Sequence, residues 1–534
     1  MNILLSTLFH EKIPFMAFYD HMCRWFVNLL PQSEIDVRFL IDYNFVDEAE
    51  SSHLIDGTKK ILLSKKDIQC VFDTNDLSIN DITAKVIYNS FTKDERKRFN
   101  EIIKEKCSDW VPDVILSQGH INGANLYGDI FPNALCLSTE NAIFSRPPFN
   151  RTLSYDPYTA IPDNFLVRFS DDIKSFKISD TEDDLVERFK KSLTGIIDKN
   201  SPLDDVMNFY YKQKFNKLVL LPLVGDRYIR LFKDCICENE FDLVETVMKN
   251  MPSDVGVFVT QADAYASLTP DHIKYFSSKY PNFIFLQQTD MRGYANNSLN
   301  YFKYIDAVLN ITSKTGFMAM LWDKPVISLA AQYNKWYQDG YGVKDFERVL
   351  NMPYKNKNNV LYWYFTRYVL FYEDFNSDGF LYNFLTGILA QYRKNGIDFN
   401  FYQQINDFNK IFDYVLQYVI TMYTNEKKSV ADTQNQTEIA EIKHKIISLQ
   451  DWQDNMNFDE IKCEMGSLQN GQDNMSSKID NMRVILQNYI DGQRKKSKNA
   501  WYKKLFSVNK TKHHRFVRVL GAKFNIGKIK NVEK

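Results

Sequence analysis

The stretch Asp306 to Gly340, DAVLNITSKTGFMAMLWDKPVISLAAQYNKWYQDG, decides the fold. Ala307 to Ile311 is an apolar run of strand length, and Ser313, Lys314, Thr315 and Gly316 form a short polar turn. Phe317 to Trp322 follows as a helix, Asp323-Lys324-Pro325 as a tight exit, and Val326 to Ala330 as a second buried strand. A turn of small hydroxyl residues and glycine between a parallel strand and a helix offers backbone N–H groups at the positive end of the helix dipole. That is an anion site, most often for phosphate, although Ser and Thr also serve as plain helix caps.

The same strand and helix alternation runs outward in both directions. In the first third, Asn2 to Leu8, Asp36 to Tyr43, Asp113 to Ser117 and Ala134 to Ser138 read as strands. Phe15 to Leu30 and Asp94 to Ser108 read as helices. A helix expected at Asp183 to Ile197 connects to a second series of strands at Lys217 to Leu223, Val255 to Thr260, Asn282 to Leu286, Ala307 to Ile311 and Val326 to Ala330. Strands separated by helix-length segments imply parallel, doubly wound sheets, here two in succession. No GxGxxG follows the first strand, which weighs against a dinucleotide site.

Within this pattern the chain resembles the bacterial capsule-polysaccharide synthesis and β-Kdo-transferase-like glycosyltransferases. Their second lobe runs strand, Thr-Ser-x-x-Gly-Phe-Glu-Ala-Leu, Gly-Lys-Pro-Val, then Tyr-x-x-Trp-Gly. Thr312, Ser313, Gly316, Phe317, Ala319, Lys324, Pro325, Val326, Tyr333 and Trp336 match it, while Met318 stands at the Glu position and Asp323 at the Gly position. The Lys-Pro-His-Pro expected after Phe258-Val259-Thr260 is replaced by Gln261, Ala262 and Asp263.

The resemblance implies an α/β chain of two Rossmann-like lobes, the GT-B architecture, followed by a helical region, a coiled coil and a basic amphipathic tail. The expected divisions are 1–165 for the acceptor lobe, 166–345 for the nucleotide-sugar lobe, 346–424 for a helical extension, 437–490 for the coiled coil and 491–534 for the tail. The implied activity is transfer of a sugar from a nucleotide-sugar donor to a growing bacterial surface polysaccharide of capsule or lipopolysaccharide type. A nucleotide-sugar epimerase and a non-catalytic assembly scaffold are the competing readings.

Ser313, Thr315, the N–H of Gly316, Tyr333 and Arg227 are the expected donor-binding groups. Asp226 lies in LPLVGDRYIR after a strand and Glu140 in STENAIFSRPPF after another; each is an expected reacting carboxylate, as base or stabiliser. His120, in SQGH, ranks behind them. Asp156-Pro157 matches a later acidic-Pro pair of the family. No Asp-x-Asp stands at a strand end, so the expectation is no metal and no cofactor, with helix dipole and basic groups managing the leaving phosphate.

Composition sets the remaining expectations. The 534 residues include 40 Phe and 31 Tyr and carry a net charge of −1. Residues 491–534 hold 14 Lys/Arg against 2 Asp/Glu, a net of +12, which leaves −13 on the rest. A basic tail on an acidic body points to an anionic partner. Apolar residues from Trp501 to Phe524 recur at spacings of three and four among Lys and Arg. This reads as an interfacial helix on anionic lipid in preference to a nucleic-acid segment. Ile461, Met465, Leu468, Met475, Ile479, Met482, Leu486 and Tyr489 alternate spacings of four and three, the heptad seam of a homo-oligomeric coiled coil. The seven scattered cysteines suit a reducing compartment. The N-terminus reads as a first strand, and no apolar run reaches membrane-span length. The expectation is a cytoplasmic protein associated peripherally with the inner face of the membrane, acting on a nucleotide sugar and a glycan or glycolipid acceptor.

Overall fold

A computed structural model describes most of residues 1–423 and, past them, 506–510, 514–519 and 522–528. The main stretches outside the described residues are 9–28, 44–59, 73–81, 119–121, 202–213, 230–234, 286–296 and 424–505. Most of the expected helix at 15–30, His120, the polar linker and the heptads therefore lie outside them. The chain divides into two compact units, Met1–Asp432 and Thr433–Lys534.

The first sheet contains β1 (Asn2–Ser6), β2 (Asp36–Asp42), β3 (Lys60–Leu63), β4 (Val114–Gln118), β5 (Leu135–Asn141) and β6 (Thr152–Asp156). A second sheet is built from β7 (Lys217–Pro222), β8 (Val255–Thr260), β9 (Phe283–Phe285), β10 (Ala307–Asn310), β11 (Val326–Ser328) and β12 (Gly340–Tyr341). The first runs in the order β3-β2-β1-β4-β5-β6, ending with β13 (Leu370–Phe371); the second runs β9-β8-β7-β10-β11-β12. Each begins in the middle, winds one way, then reverses beside its first strand. The reversal lies between β1 and β4 in one sheet and between β7 and β10 in the other. Those are the switch points where α/β folds open a crevice at the carboxyl ends.

Two features depart from the sequence reading. The first sheet is not purely parallel, because β6 pairs antiparallel with β5, and β13 antiparallel with β6. Neither strand was anticipated: β6 has five residues, and the sequence signal for the two residues of β13 is negligible. Residues 346–424, expected as a helical extension, thus also return to the first sheet to supply β13. Within this region, the aromatic stretch begins as a helix at Asn358–Trp363, passes through a π-turn at Tyr364–Tyr368 and ends in that strand.

Alternate residues of each central strand enter different cores, as a doubly covered sheet requires. Ile3 and Leu5 join one core while Leu4 joins another. On the second sheet Leu218 and Leu220 face that same first core, whereas Val219 and Leu221 face a third. The shared core between the sheets is filled by the long helices. α1 (Asp180–Lys199) contributes Val186, Phe189, Leu193 and Ile197, and a helix over 408–423 contributes Phe408, Ile411, Val415 and Val419. Each such side chain, fully buried, is worth roughly 1.5–3 kcal/mol of transfer free energy. α1 starts three residues before the expected Asp183, at a capping box. The Ser179 hydroxyl accepts the Glu182 N–H, and the Glu182 carboxylate accepts the Ser179 N–H.

In the second unit the described residues form a three-stranded antiparallel sheet, β14 (Phe506–Lys510), β15 (His514–Val519) and β16 (Ala522–Lys528). The interfacial helix expected across this tail is therefore corrected. Val508, Phe516, Val517, Val519 and Phe524 are β-branched or aromatic, and FSVNK and AKFNIGK alternate with period two, which suits strands.

Candidate functional site

β5 and β10 approach each other at their carboxyl ends. Glu140 is the penultimate residue of β5, and β10 ends at Asn310. Ser313 then caps a short helix, α2 (Lys314–Met318), which continues as a 3-10 turn to Trp322. The Lys314 ammonium lies 3.5 Å from Glu140 Oε1, so the two lobes are joined by an ion pair at the mouth of the crevice. Both side chains are about one-third exposed, at 36% and 30%, so a solvent-borne ligand can reach them. Below this pair the Ile143 N–H donates to the Tyr364 hydroxyl at 3.1 Å, and the Tyr364 ring packs on Phe317.

The Ser313–Gly316 turn is organised differently from the sequence expectation. The helix starts at Lys314 rather than Phe317, so Thr315 and Gly316 belong to its first turn. Thr315 N–H donates to Ser313 Oγ at 3.3 Å, and Gly316 N–H donates to Ser313 O at 3.0 Å. Gly316 is buried, and a Cβ there would stand 2.2 Å from Asn310 Nδ2. Its missing side chain makes room for Asn310, not for a phosphate. Asn310 Nδ2 donates to Asn334 Oδ1 and to the Tyr337 hydroxyl, each at 3.0 Å. Asn334 Nδ2 in turn reaches Ile311 O at 2.8 Å and Ser328 Oγ at 2.9 Å. This buried network fixes the ends of β10 and β11 against the Tyr333–Tyr337 turn. Tyr333 itself is half-buried on the adjoining core.

The two departures from the family pattern acquire physical reasons. Met318 is 4% exposed and fills the shared core, so the side chain at the Glu position does not face the crevice. Asp323 adopts the left-handed conformation at φ 52°, ψ 40°, a place that favours Gly and tolerates Asp. Its carboxylate accepts from Lys190 on α1 at 2.5 Å.

Asp226 follows β7, as expected, but its Oδ1 accepts the Glu240 N–H at 2.8 Å. Glu240 is fully buried, and its Oε1 accepts the Val224 and Gly225 N–H groups at 2.6 and 2.5 Å. Burial, reinforced by nearby Asp226, raises the Glu240 carboxyl above its ordinary range. The two carboxylates brace the turn after β7, and the amides a phosphate would seek there are already taken. Arg227 lies in the turn, its side chain outside the described residues. Asp156 is buried; Phe165 N–H and the Tyr368 hydroxyl donate to Oδ2, each at 2.8 Å, and Tyr158 N–H donates to Oδ1 at 2.9 Å. It fastens a loop of the first lobe.

Sequence reasoning passed over Lys314 as a ligand, although it carried a signal. A cation in the first turn opposes the helix dipole, so its presence there argues for a role outside the helix. Glu240 had no comparable signal, because an acidic first-turn residue is ordinary. Among the described residues, no cluster of His, Cys, Asp and Glu could hold a metal ion, and no helix is long and apolar enough to cross a membrane.

No family model matches the sequence, and no curated protein matches it. Among solved structures, the chain is similar to a β-Kdo 2,7 transferase, KpsC, of Thermosulfurimonas dismutans. The identity is 11%, covering 70% of this chain and 92% of that one, with a TM-score of 0.36. The β-Kdo 2,4 transferase of the same organism's KpsC shares 14% identity over 49% of this chain and 81% of that one, with a TM-score of 0.32. The UDP-GlcNAc 2-epimerase from Methanocaldococcus jannaschii shares 13% over 67% and 96%, with a TM-score of 0.25. Likenesses of this size carry nothing about chemistry; the two-lobed fold stands on the strand orders themselves.

Proposed function

We propose that the protein is a glycosyltransferase that moves a sugar from a nucleotide-sugar donor to a growing bacterial surface polysaccharide. The observation that carries this reading is the Lys314–Glu140 pair, a cation and a carboxylate facing each other across two carboxyl-end crevices. In the reaction, Glu140 takes the proton of the acceptor hydroxyl as its oxygen bonds to the anomeric carbon. The bond from that carbon to the donor phosphate oxygen breaks, and the electron pair leaves with the nucleotide. Lys314, with the Ser313 and Thr315 hydroxyls beside it, balances the charge on the departing phosphate. A donor phosphate competes with Glu140 for the ammonium, so binding of the donor frees the base. Asp226 is assigned the role of brace.

In this reading the chain works at the inner face of the cytoplasmic membrane, carried there by residues 491–534 and paired through the heptads of 437–490. A screen of thermal stability against CMP-, UDP-, GDP- and dTDP-sugars tests it. A true donor stabilises the native state by mass action, and transfer of radiolabelled sugar to a glycolipid acceptor must follow. Interconversion of the nucleotide sugar without any acceptor would favour the epimerase reading instead.

A further inference from the structure

A second cavity of about 350 Å³ lies in the first unit, away from the crevice. Its place in the fold follows from Asp339, which lines it: Asp339 Oδ2 accepts the Val326 N–H at 2.8 Å, at the amino end of β11. Lys314 and Glu140 stand at the opposite, carboxyl ends of the strands. Lys174, Arg348, Lys355 and Lys357 also line the cavity, four cations against the single carboxylate of Asp339.

That carboxylate is already committed. Lys357 reaches it at 2.5 Å, both side chains nearly buried, and Arg348 is held by Asp345 at 3.0 Å. Lys174 and Lys355 make no ion pair within 4 Å among the described residues. Burial holds Lys357 below the usual lysine range, and Lys174 lowers it further. Lys174 is likewise lowered, by burial first and then by Lys335, against the opposing effect of Asp171 and Asp339. With Lys357 and Arg348 paired, Lys174 and Lys355 leave the lining with an excess of positive charge that a bound anion relieves.

The neutral lining narrows the chemistry. Gln338 Oε1 is buried with no hydrogen-bond partner and so needs a donor, such as a hydroxyl. Met352 and the small exposed part of Trp336 supply the apolar share of the lining. The volume is at the small end for ligand pockets, about one or two monosaccharides. We propose that this cavity is a second binding site, for an anionic sugar bearing phosphate or carboxylate, supplied as a free sugar phosphate or as a unit of an acidic glycan. Trp336 also stacks on Tyr364 at 5.5 Å and packs on Phe317 at 4.7 Å, so one ring touches both this site and the helix that carries Lys314.

The proposal goes beyond the donor crevice and is tested apart from it. Calorimetric titrations of the full chain use glucose 1-phosphate, glucuronic acid, an acidic hexasaccharide and neutral glucose. The anionic sugars should bind with an affinity that falls as salt rises, while glucose should not. The double variant Lys174→Gln/Lys355→Gln removes two cations without touching a core side chain and should keep the wild-type melting temperature while losing at least ~10-fold in affinity. Lys314→Gln should bind these ligands as the wild type does. A hexasaccharide that binds more tightly than the monomers identifies a glycan as the source; equal or weaker binding identifies the free sugar phosphate. Absence of binding by every anionic sugar at millimolar concentration, or unaltered affinity in the double variant, overturns the proposal. Loss of binding in Lys314→Gln alone does so too.

Discussion

Lys190 Nζ donates to Asp323 Oδ1 at 2.5 Å and to Asn358 Oδ1 at 3.0 Å, tying α1 to the exit from the turn after β10 and to the helix at Asn358–Trp363. The ammonium is 3% exposed, whereas Asp323 is 45% exposed. Truncation of Lys190 to Ala should cost about 1–3 kcal/mol, the scale of a charge-assisted hydrogen bond with its desolvated partners. The half-exposed carboxylate keeps the loss below that of a fully buried pair. At the other end, Asp323→Gly relieves a left-handed residue while losing the pair, and Asp323→Val keeps the strain and loses the pair. Urea midpoints should therefore rank Val well below Gly; a Val variant as stable as the Gly variant would contradict the backbone argument.

Gly316→Ala should unfold the site rather than merely block a ligand. The added Cβ would collide with Asn310, whose amide is held by Asn334 and Tyr337. Overpacking of this kind costs about 1–3 kcal/mol. Chemical denaturation measures it, and wild-type stability in this variant would show that Asn310 has room to move.

Asp156 gives a pH signature. Burial pushes its carboxyl up to about 7, against the lowering effect of the N–H groups of Phe165 and Tyr158 and the Tyr368 hydroxyl. A carboxyl whose folded pKa exceeds its unfolded value contributes most below pH ~4, and that contribution is lost as pH rises through ~7. Asp156→Asn does not titrate. Its stability deficit relative to wild type should therefore shrink between pH 4 and 7, by up to roughly 1.4 kcal/mol per pH unit. A deficit constant across that range would mean the carboxylate is ionised throughout.

Removal of residues 491–534 should abolish co-sedimentation with anionic liposomes, and Ile479→Asp with Met482→Asp should weaken it although the tail is intact. Two tails on one coiled coil gain effective concentration, an avidity of ~10²-fold or more. Pelleting by the tail-deleted protein, or a monomeric mass for the intact one, would count against this anchoring.

Much of the fold was legible because its signals are local. Apolar runs such as Leu218–Leu221 announce their own elements. The strand β13 was not legible, since its pairing with β6 joins residues more than two hundred apart in the chain, and the antiparallel return of β6 onto nearby β5 was passed over. At the candidate site, Glu140 and the Ser313–Gly316 turn were singled out from strand-end position. What could not be read was where each N–H points. Only the folded chain shows that Gly316 serves Asn310, that Glu240 occupies the Val224 and Gly225 amides, and that Lys314 crosses to Glu140. The tail misled because basic and aromatic residues at mixed spacings satisfy a helical and a strand period alike over short windows.

The central claim is that Lys314 binds the donor phosphate and that Glu140 competes with it for the ammonium before acting as base. Calorimetric titration of the nucleotide selected by the donor screen, into wild type, Lys314→Gln and Glu140→Gln, tests this most directly. The account predicts at least ~10-fold weaker binding for Lys314→Gln. For Glu140→Gln it predicts binding equal to or tighter than wild type, together with a loss of transfer of about 100-fold or more. Undiminished affinity in Lys314→Gln, or weakened affinity in Glu140→Gln, would contradict it.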